Sequence, residues 1–458
     1  MPESYSDIRL SLIEQTKYIA KHYSSKEEFE EILDRIKENR KTVQPLDLYG
    51  SVVGIDGSMN SIEIFGGFYI QAVSAVAKAI EYPDIKGETL GTITSVIANY
   101  QTPHSSLAPR MLMHAFEAFL AYKSVRKGID YILLDGGPLD IYNAITGSIA
   151  GALSTLEEEI LMILSMTVSK DTLERLGVIE YENKTFVKRG SILYKALQEG
   201  LEKAYKKLEE AFNFRSASVD AELLQEALAS SRIYGEFRAK LLDALEHEDD
   251  LDEFEIAGIR DSLMFRRYYL EPIVNAFAAY GIYIKSLDRL FSNLGESIIV
   301  GASKRINRVT VEFEQLIARD LELRSRIGYA LSGPFLEAPG FLKLLTSKAY
   351  QRPSLKLTGH IPGISRVREF LEGEKTKFLE VLFKPTRRSI LRLEIYYNGE
   401  TKIENILGVL ARLSIDVRPG SATVTFRPIE QAHRIAEIDN KFMEKLKRTF
   451  EKHLSQGE

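Results

Sequence analysis

The stretch Ser51–Asn60 reads SVVGIDGSMN. Its apolar run, Val52 to Ile55, is rich in β-branched residues and meets Asp56, Gly57 and Ser58, so it predicts a buried strand that ends at a tight turn. A carboxylate at the end of such a strand is held on a rigid element and partly stripped of water. That position is costly unless a cation or hydrogen bonds compensate the charge. The same pattern returns at Tyr131–Gly137, YILLDGG, and ends in Asp135. Two apolar strands that both stop at Asp-Gly predict two carboxylates at one sheet edge, a candidate active site.

Outward from this stretch, Ser61–Phe65 and Phe68–Val76 read as two more strands joined by a Gly66-Gly67 hairpin turn. After a loop over Tyr100–Ser106, Leu107–Arg126 has the pattern of a helix. Arg110, His114, Glu117 and Ala121 fall on one face of it, with Leu112, Phe116, Phe119 and Leu120 toward a core. Residues 4–42 predict amphipathic helices packed on the outside, ended by Pro45. The expected division is 1–46 as an N-terminal helical segment, 47–151 as the first part of a core, 152–292 as a helical insertion and 293–458 as the second part. The insertion carries an acidic, solvent-facing turn at Glu246–Glu253. The last part predicts strands at Glu296–Gly301, Lys377–Phe383, Ser389–Tyr397 and Ala422–Phe426. It also predicts a helix at Lys402–Leu413 and a long final helix from Ile429 to Leu454 that contains His433.

Composition narrows the function classes. The chain has 458 residues, 45% hydrophobic and 27% charged, which is the balance of globular domains with real cores. No apolar run reaches the ~18 residues of a membrane helix; the longest, Ile70–Ile80, is interrupted by Lys78. With no basic-then-apolar leader pattern, the expectation is a cytoplasmic protein with no membrane partner. There are no cysteines, which excludes disulfides, thiolate metal sites and a cysteine nucleophile. Abundant Lys, Arg and Glu with no Cys also suits a thermophile. The net charge of -5 argues against a large, uniform nucleic-acid surface but permits a local basic groove. Candidate contacts are Lys304 and the run Lys384–Arg388 (KPTRR) with Arg392; Tyr396 and Tyr397 are either stacking or core residues.

Asp56, Glu117 and Asp135 together form a hard oxygen donor set of the kind that binds Mg²⁺ or Mn²⁺. Phosphoryl chemistry commonly uses two such ions about 3.5–4 Å apart. The competing reading is plain. Asp-Gly is common turn chemistry, Glu117 can sit on a solvated helix face, and His433, one of seven histidines, can be an ordinary helix residue.

The order of these motifs resembles the NurA family of archaeal and bacterial nucleases. It runs strand-Asp-Gly-Ser, hairpin, helix with Glu, strand-Asp-Gly, helical insertion, an Arg-Leu-Glu strand and a late Ala-His. The matching residues are Asp56 in GIDGS, Glu117 in MLMHAFEAFLAYK, Asp135 in ILLDGG and His433 in RPIEQAH. The resemblance implies a ribonuclease-H-like mixed α/β sheet with a large helical insertion. It also implies catalytic Mn²⁺ or Mg²⁺ held at these four positions. Asp56 and Asp135 would share the ions, Glu117 would complete one site, and His433 would be a ligand or place the water or leaving group. Gly54 and Gly57 would allow close approach of backbone and substrate. The implied activity is hydrolysis of single-stranded DNA and of DNA from 5′ ends, as 5′-3′ exonuclease and single-strand endonuclease. The implied setting is DNA end resection and double-strand break repair by a homodimer docked on a HerA-like hexameric translocase. Lys304, Arg387 and Arg388 would contact DNA. One departure stands out: Thr425 and Phe426 occupy the place of a tyrosine in the family's Gly-Tyr-Pro-like stretch.

Two readings compete with the nuclease. GIDGS and LLDGGPLD resemble the phosphate loops of actin-like and sugar-kinase-like ATPases, although no GxxxxGK[ST] loop exists. A non-catalytic scaffold on a degenerate nuclease fold is the other. Metal-dependent cleavage and ATP turnover separate the three.

Overall fold

The computed structural model describes residues 13–17, 41–42, 44–181, 184–229, 231–246, 251–303, 334–335, 377–386, 389–398, 401–416 and 424–456. The chain has an α/β fold with a ribonuclease-H-like mixed sheet. In chain order the sheet strands are β1 (Gly50–Phe65), β2 (Phe68–Tyr82), β3 (Lys86–Tyr100), β4 (Tyr131–Asp135), β5 (Ile298–Ser303), β6 (Lys377–Thr386) and β7 (Ser389–Tyr397). Their spatial order is β6-β7-β5-β4-β1-β2-β3. The central strands β1, β4 and β5 run parallel and the flanking pairs antiparallel. Parallel strands are buried on both sides, which is why VVGI, YILLD and IIVGAS read as nearly continuous apolar runs.

Two cores cover the two faces. Val53, Ile55, Ile132, Leu134 and Ile299 pack under α1 (Leu107–Arg126), α2 (Pro138–Thr167) and α7 (Arg267–Ser292). Val52, Leu133, Val300, Leu393 and Ile395 pack under α8 (Ile403–Leu413) and α9 (Arg427–Ala436). The period-2 alternation of strand side chains makes this division. Each fully buried Leu, Ile or Val contributes roughly 1.5–3 kcal/mol. Between α2 and α7 lie α3 (Ile192–Glu209), α4 (Ala221–Ala229), α5 (Arg232–Glu246) and α6 (Glu253–Phe265), with two short hairpins at 178–187 and 212–219. The chain closes on α10 (Asn440–Gln456).

Three sequence expectations change. β1 does not stop at Asp56. It runs on to Phe65 with Asp56 opposite Val76 and Gly57 opposite Ala75, because the ladder to β2 continues through the Asp-Gly pair. The segment 86–100, unassigned from sequence, is the edge strand β3. The Gln225 side chain of α4 covers that edge, accepting from Val96 N–H (3.2 Å) and donating to Val96 C=O (2.9 Å), as open strand edges require. The expected single C-terminal helix is two, α9 and α10, broken at Glu437–Asp439.

Candidate active site

The site is built where two parallel strands part. The β1–β4 ladder ends at Ile55 opposite Leu134, so the chains separate at Asp56 and Asp135. Both aspartates lie on the α9 side of the sheet, in the row of Val52 and Leu133. Beyond this point β4 follows β5: Asp135 lies opposite Ala302, and Gly136 N–H donates to Ala302 C=O at 3.0 Å. Crevices outside the carboxyl ends of parallel strands are where open α/β sheets place their ligands.

Asp56 is 4% exposed. Its Oδ1 accepts the Gly57 N–H at 2.9 Å, and its Oδ2 lies 2.6 Å from His433 Nδ1. Close packing of α9 on β1 brings the histidine there. A Cβ on Gly54 would lie 2.0 Å from Pro428 C and 2.3 Å from Ile429 N, so only glycine lets the first turn of α9 lie on the strand. The other end of α9 is held by the Ser74 hydroxyl, which donates to Ala436 C=O at 2.5 Å. His433 sits between these anchors with its side chain 48% exposed.

Glu117 reaches the same place from the opposite face. A Cβ on Gly57 would lie 2.7 Å from Glu117 Oε1, so the second glycine makes room for this carboxylate. Gly54 thus admits the backbone of Pro428, and Gly57 admits the Glu117 carboxylate; close approach of both backbone and substrate was expected at these glycines. Glu117 is 7% exposed, and its Oε2 lies 2.9 Å from His114 Nδ1, one helical turn earlier. Burial pushes its carboxyl above the usual range. The His114 hydrogen bond opposes that shift, and the charges of Asp56 and Asp135 add to it. The helix face read as polar therefore carries a buried carboxylate within electrostatic reach of two other anions.

Sequence reasoning missed Glu394. It is 1% exposed on β7 and opposite Gly301. Tyr396 O–H donates to its Oε2 at 2.9 Å, and Arg392, also 1% exposed, forms an ion pair with its Oε1 at 3.5 Å. A Cβ on Gly137 would lie 2.3 Å from the Glu394 carboxyl, which therefore rests on the turn after Asp135, at the N-terminal end of α2. A carboxylate there complements the positive end of the helix. Tyr283 donates to Pro138 C=O at 2.9 Å, and its phenol is pushed well above its ordinary value by burial, then by Glu394 and Glu117. The signal was present in SILRLEIYY, where Arg and Glu two apart fall on one face of an otherwise apolar strand. This corrects the reading of Arg392 as a nucleic-acid contact, and Tyr396 and Tyr397 are core residues. Lys304, Arg387 and Arg388 lie outside the described residues.

The structure thus joins Asp56 to His433 and brings Asp56, Asp135 and Glu117 within electrostatic reach. Among the described residues, no three His, Asp or Glu side chains form a closed ligand set; Asp56 and Glu117 each close on a histidine instead. The donor chemistry nevertheless fits a hard divalent cation: three carboxylates, those of Asp56 and Glu117 buried and that of Glu117 repelled by both aspartates.

No family model matches the chain, and no curated protein matches it. Solved structures do. A crystal structure of NurA superposes with a TM-score of 0.53 at 16% identity, covering 96% of this chain and 97% of that one. A crystal structure of NurA with manganese gives 0.51 at 17% identity, covering 94% of each. Over nearly its whole described and aligned length, this chain has the fold of the NurA structures.

Proposed function

We propose that this chain is a Mn²⁺- or Mg²⁺-dependent deoxyribonuclease. The observation that carries the reading is Glu117, a buried carboxylate that lies against Gly57 and within electrostatic reach of Asp56 and Asp135, where the parallel strands part. Such a cluster of anions is short of positive charge, and a divalent cation is the natural complement. Asp56, Asp135 and Glu117 would hold it. When bound, the cation polarises the phosphodiester and lowers the pKa of a bound water. His433 is oriented by Asp56 through Nδ1 and would take or give a proton at the attacking water or the leaving oxygen. The NurA fold supports the same reading, and one of those structures carries manganese by its own description. The finer proposal is cleavage of single-stranded DNA and of DNA from 5′ ends. In that proposal a cytoplasmic homodimer docks on a HerA-like hexameric ATPase in end resection and double-strand break repair.

End-labelled single-stranded DNA incubated with Mn²⁺, Mg²⁺ or EDTA, with wild type beside Asp56→Ala, tests the core of this. The expected result is metal-dependent cutting that falls at least ~100-fold in the variant, about 2.7 kcal/mol of transition-state stabilisation. Folded protein that shows no cleavage with either Mn²⁺ or Mg²⁺, alone or in the presence of a HerA-like ATPase, would move the reading to a non-catalytic scaffold.

A further inference from the structure

Helix α10 follows α9 after three residues, and it leads away from the candidate site along β1. Ile438 N–H donates to Ser58 Oγ at 3.2 Å, and Asn60 Nδ2 donates to Ile438 C=O at 2.9 Å. Further out, Lys447 Nζ donates to Glu63 C=O at 2.9 Å, and Phe450 meets Phe68 with ring centroids 5.7 Å apart. The helix therefore runs from just past Asp56 to the tip of the β1–β2 hairpin, roughly 25 Å at 1.5 Å per residue.

Its two long faces differ in chemistry. Met443, Lys447 and Phe450 turn toward the sheet. Lys441, Lys445, Arg448 and Lys452 recur at four, three and four residues, so they form one stripe on the opposite face. All four are exposed, and none makes an ion pair with another described residue. Glu444 and Glu451 lie on one flank only. On the other flank Phe442, in the first turn of the helix, is 48% exposed, and at the hairpin tip Phe65 is 53% exposed and stacks on Phe68 at 5.4 Å. Four cations in a row, with no ion pair among the described residues, and exposed aromatic rings on the first turn of the helix and at the hairpin tip match the two requirements for holding single strands: charge for the phosphates and flat rings for the bases.

We propose that α10 and the hairpin tip form a track that binds single-stranded nucleic acid and leads it to Asp56 and His433. This rests on the nuclease reading for its purpose, but not for its measurement. Binding is read with metal removed, by anisotropy of a fluorescein-labelled oligothymidylate in EDTA, over a series of salt concentrations. Replacing Lys441, Lys445, Arg448 and Lys452 by Gln should weaken binding at least ~10-fold near 0.1 M salt. It should also flatten the slope of log K against log salt by about 0.7 per lost phosphate contact. Phe442→Ala with Phe65→Ala should weaken binding several-fold and leave the slope unchanged. The control neutralises Lys170, Lys188, Lys195 and Lys203, exposed cations of the helical insertion, and should keep wild-type affinity. Wild-type affinity and slope in the α10 variant would overturn the track, as would equal losses in the control or no binding by wild type. Cleavage with Mn²⁺ is scored in parallel. Stripe-dependent binding without cleavage sinks the nuclease reading alone, and cleavage with stripe-independent binding sinks the track alone.

Discussion

Glu394 and Glu117 are both buried carboxylates on the same side of the sheet, and both press on Tyr283. Glu394 is surrounded by compensation: Arg392, the Tyr396 hydroxyl and the start of α2. Glu117 has a single histidine partner and faces two further anions. A buried charge whose neighbours neutralise it holds architecture together. One whose neighbours repel it is held in place by the fold and is available to a cation.

The largest effect is expected from breaking the compensated side. Arg392→Met strands the Glu394 charge in the core and should cost roughly 3–5 kcal/mol in urea unfolding. Changing Glu394 to Leu as well should recover most of that loss. A double variant as unstable as the single one would show that the pair does not act as a unit.

Next comes the seat of α9. Gly54→Ala drives a methyl group into the Pro428 backbone and should cost about 1–3 kcal/mol. It should also displace His433 from Asp56, visible as a shifted His433 imidazole resonance. An unshifted resonance with full stability would mean α9 does not rest on Gly54 in solution.

The smallest effect has the opposite sign. Glu117 is raised in the folded state, so in metal-free protein its ionisation opposes folding, and wild type loses stability as pH rises through that elevated value. Glu117→Gln should therefore melt a few degrees higher than wild type at neutral pH, about 1 kcal/mol. The gap should close as pH falls into the ordinary carboxylate range. Added Mn²⁺ should reverse the order by stabilising wild type more. A variant that melts lower at every pH would place Glu117 with Glu394 as an architectural charge.

Much of this comparison was present in local pattern. The apolar runs before Asp56 and Asp135, the 3.6-residue period of Leu107–Arg126 and the strand at Ser389–Tyr397 are all visible along the chain, because side-chain period follows directly from backbone geometry. The same patterns placed Asp56, Glu117 and Asp135 together as candidates. The Asp-Gly pair at 56–57 misled, since its turn chemistry is overridden by an unbroken ladder to β2.

Burial and partnership were decided only in three dimensions. Whether the Glu117 face meets water depends on α1 being packed between the sheet and α7, the last helix of the helical insertion. His433 finds Asp56 because Gly54 admits Pro428. Arg392 is a core cation and not a surface one because Glu394 shares its face. Period and propensity are properties of neighbouring residues, and the sequence by itself determines them. The electrostatic state of a carboxylate is set by whichever distant groups the packed fold brings against it, and only the tertiary structure decides that.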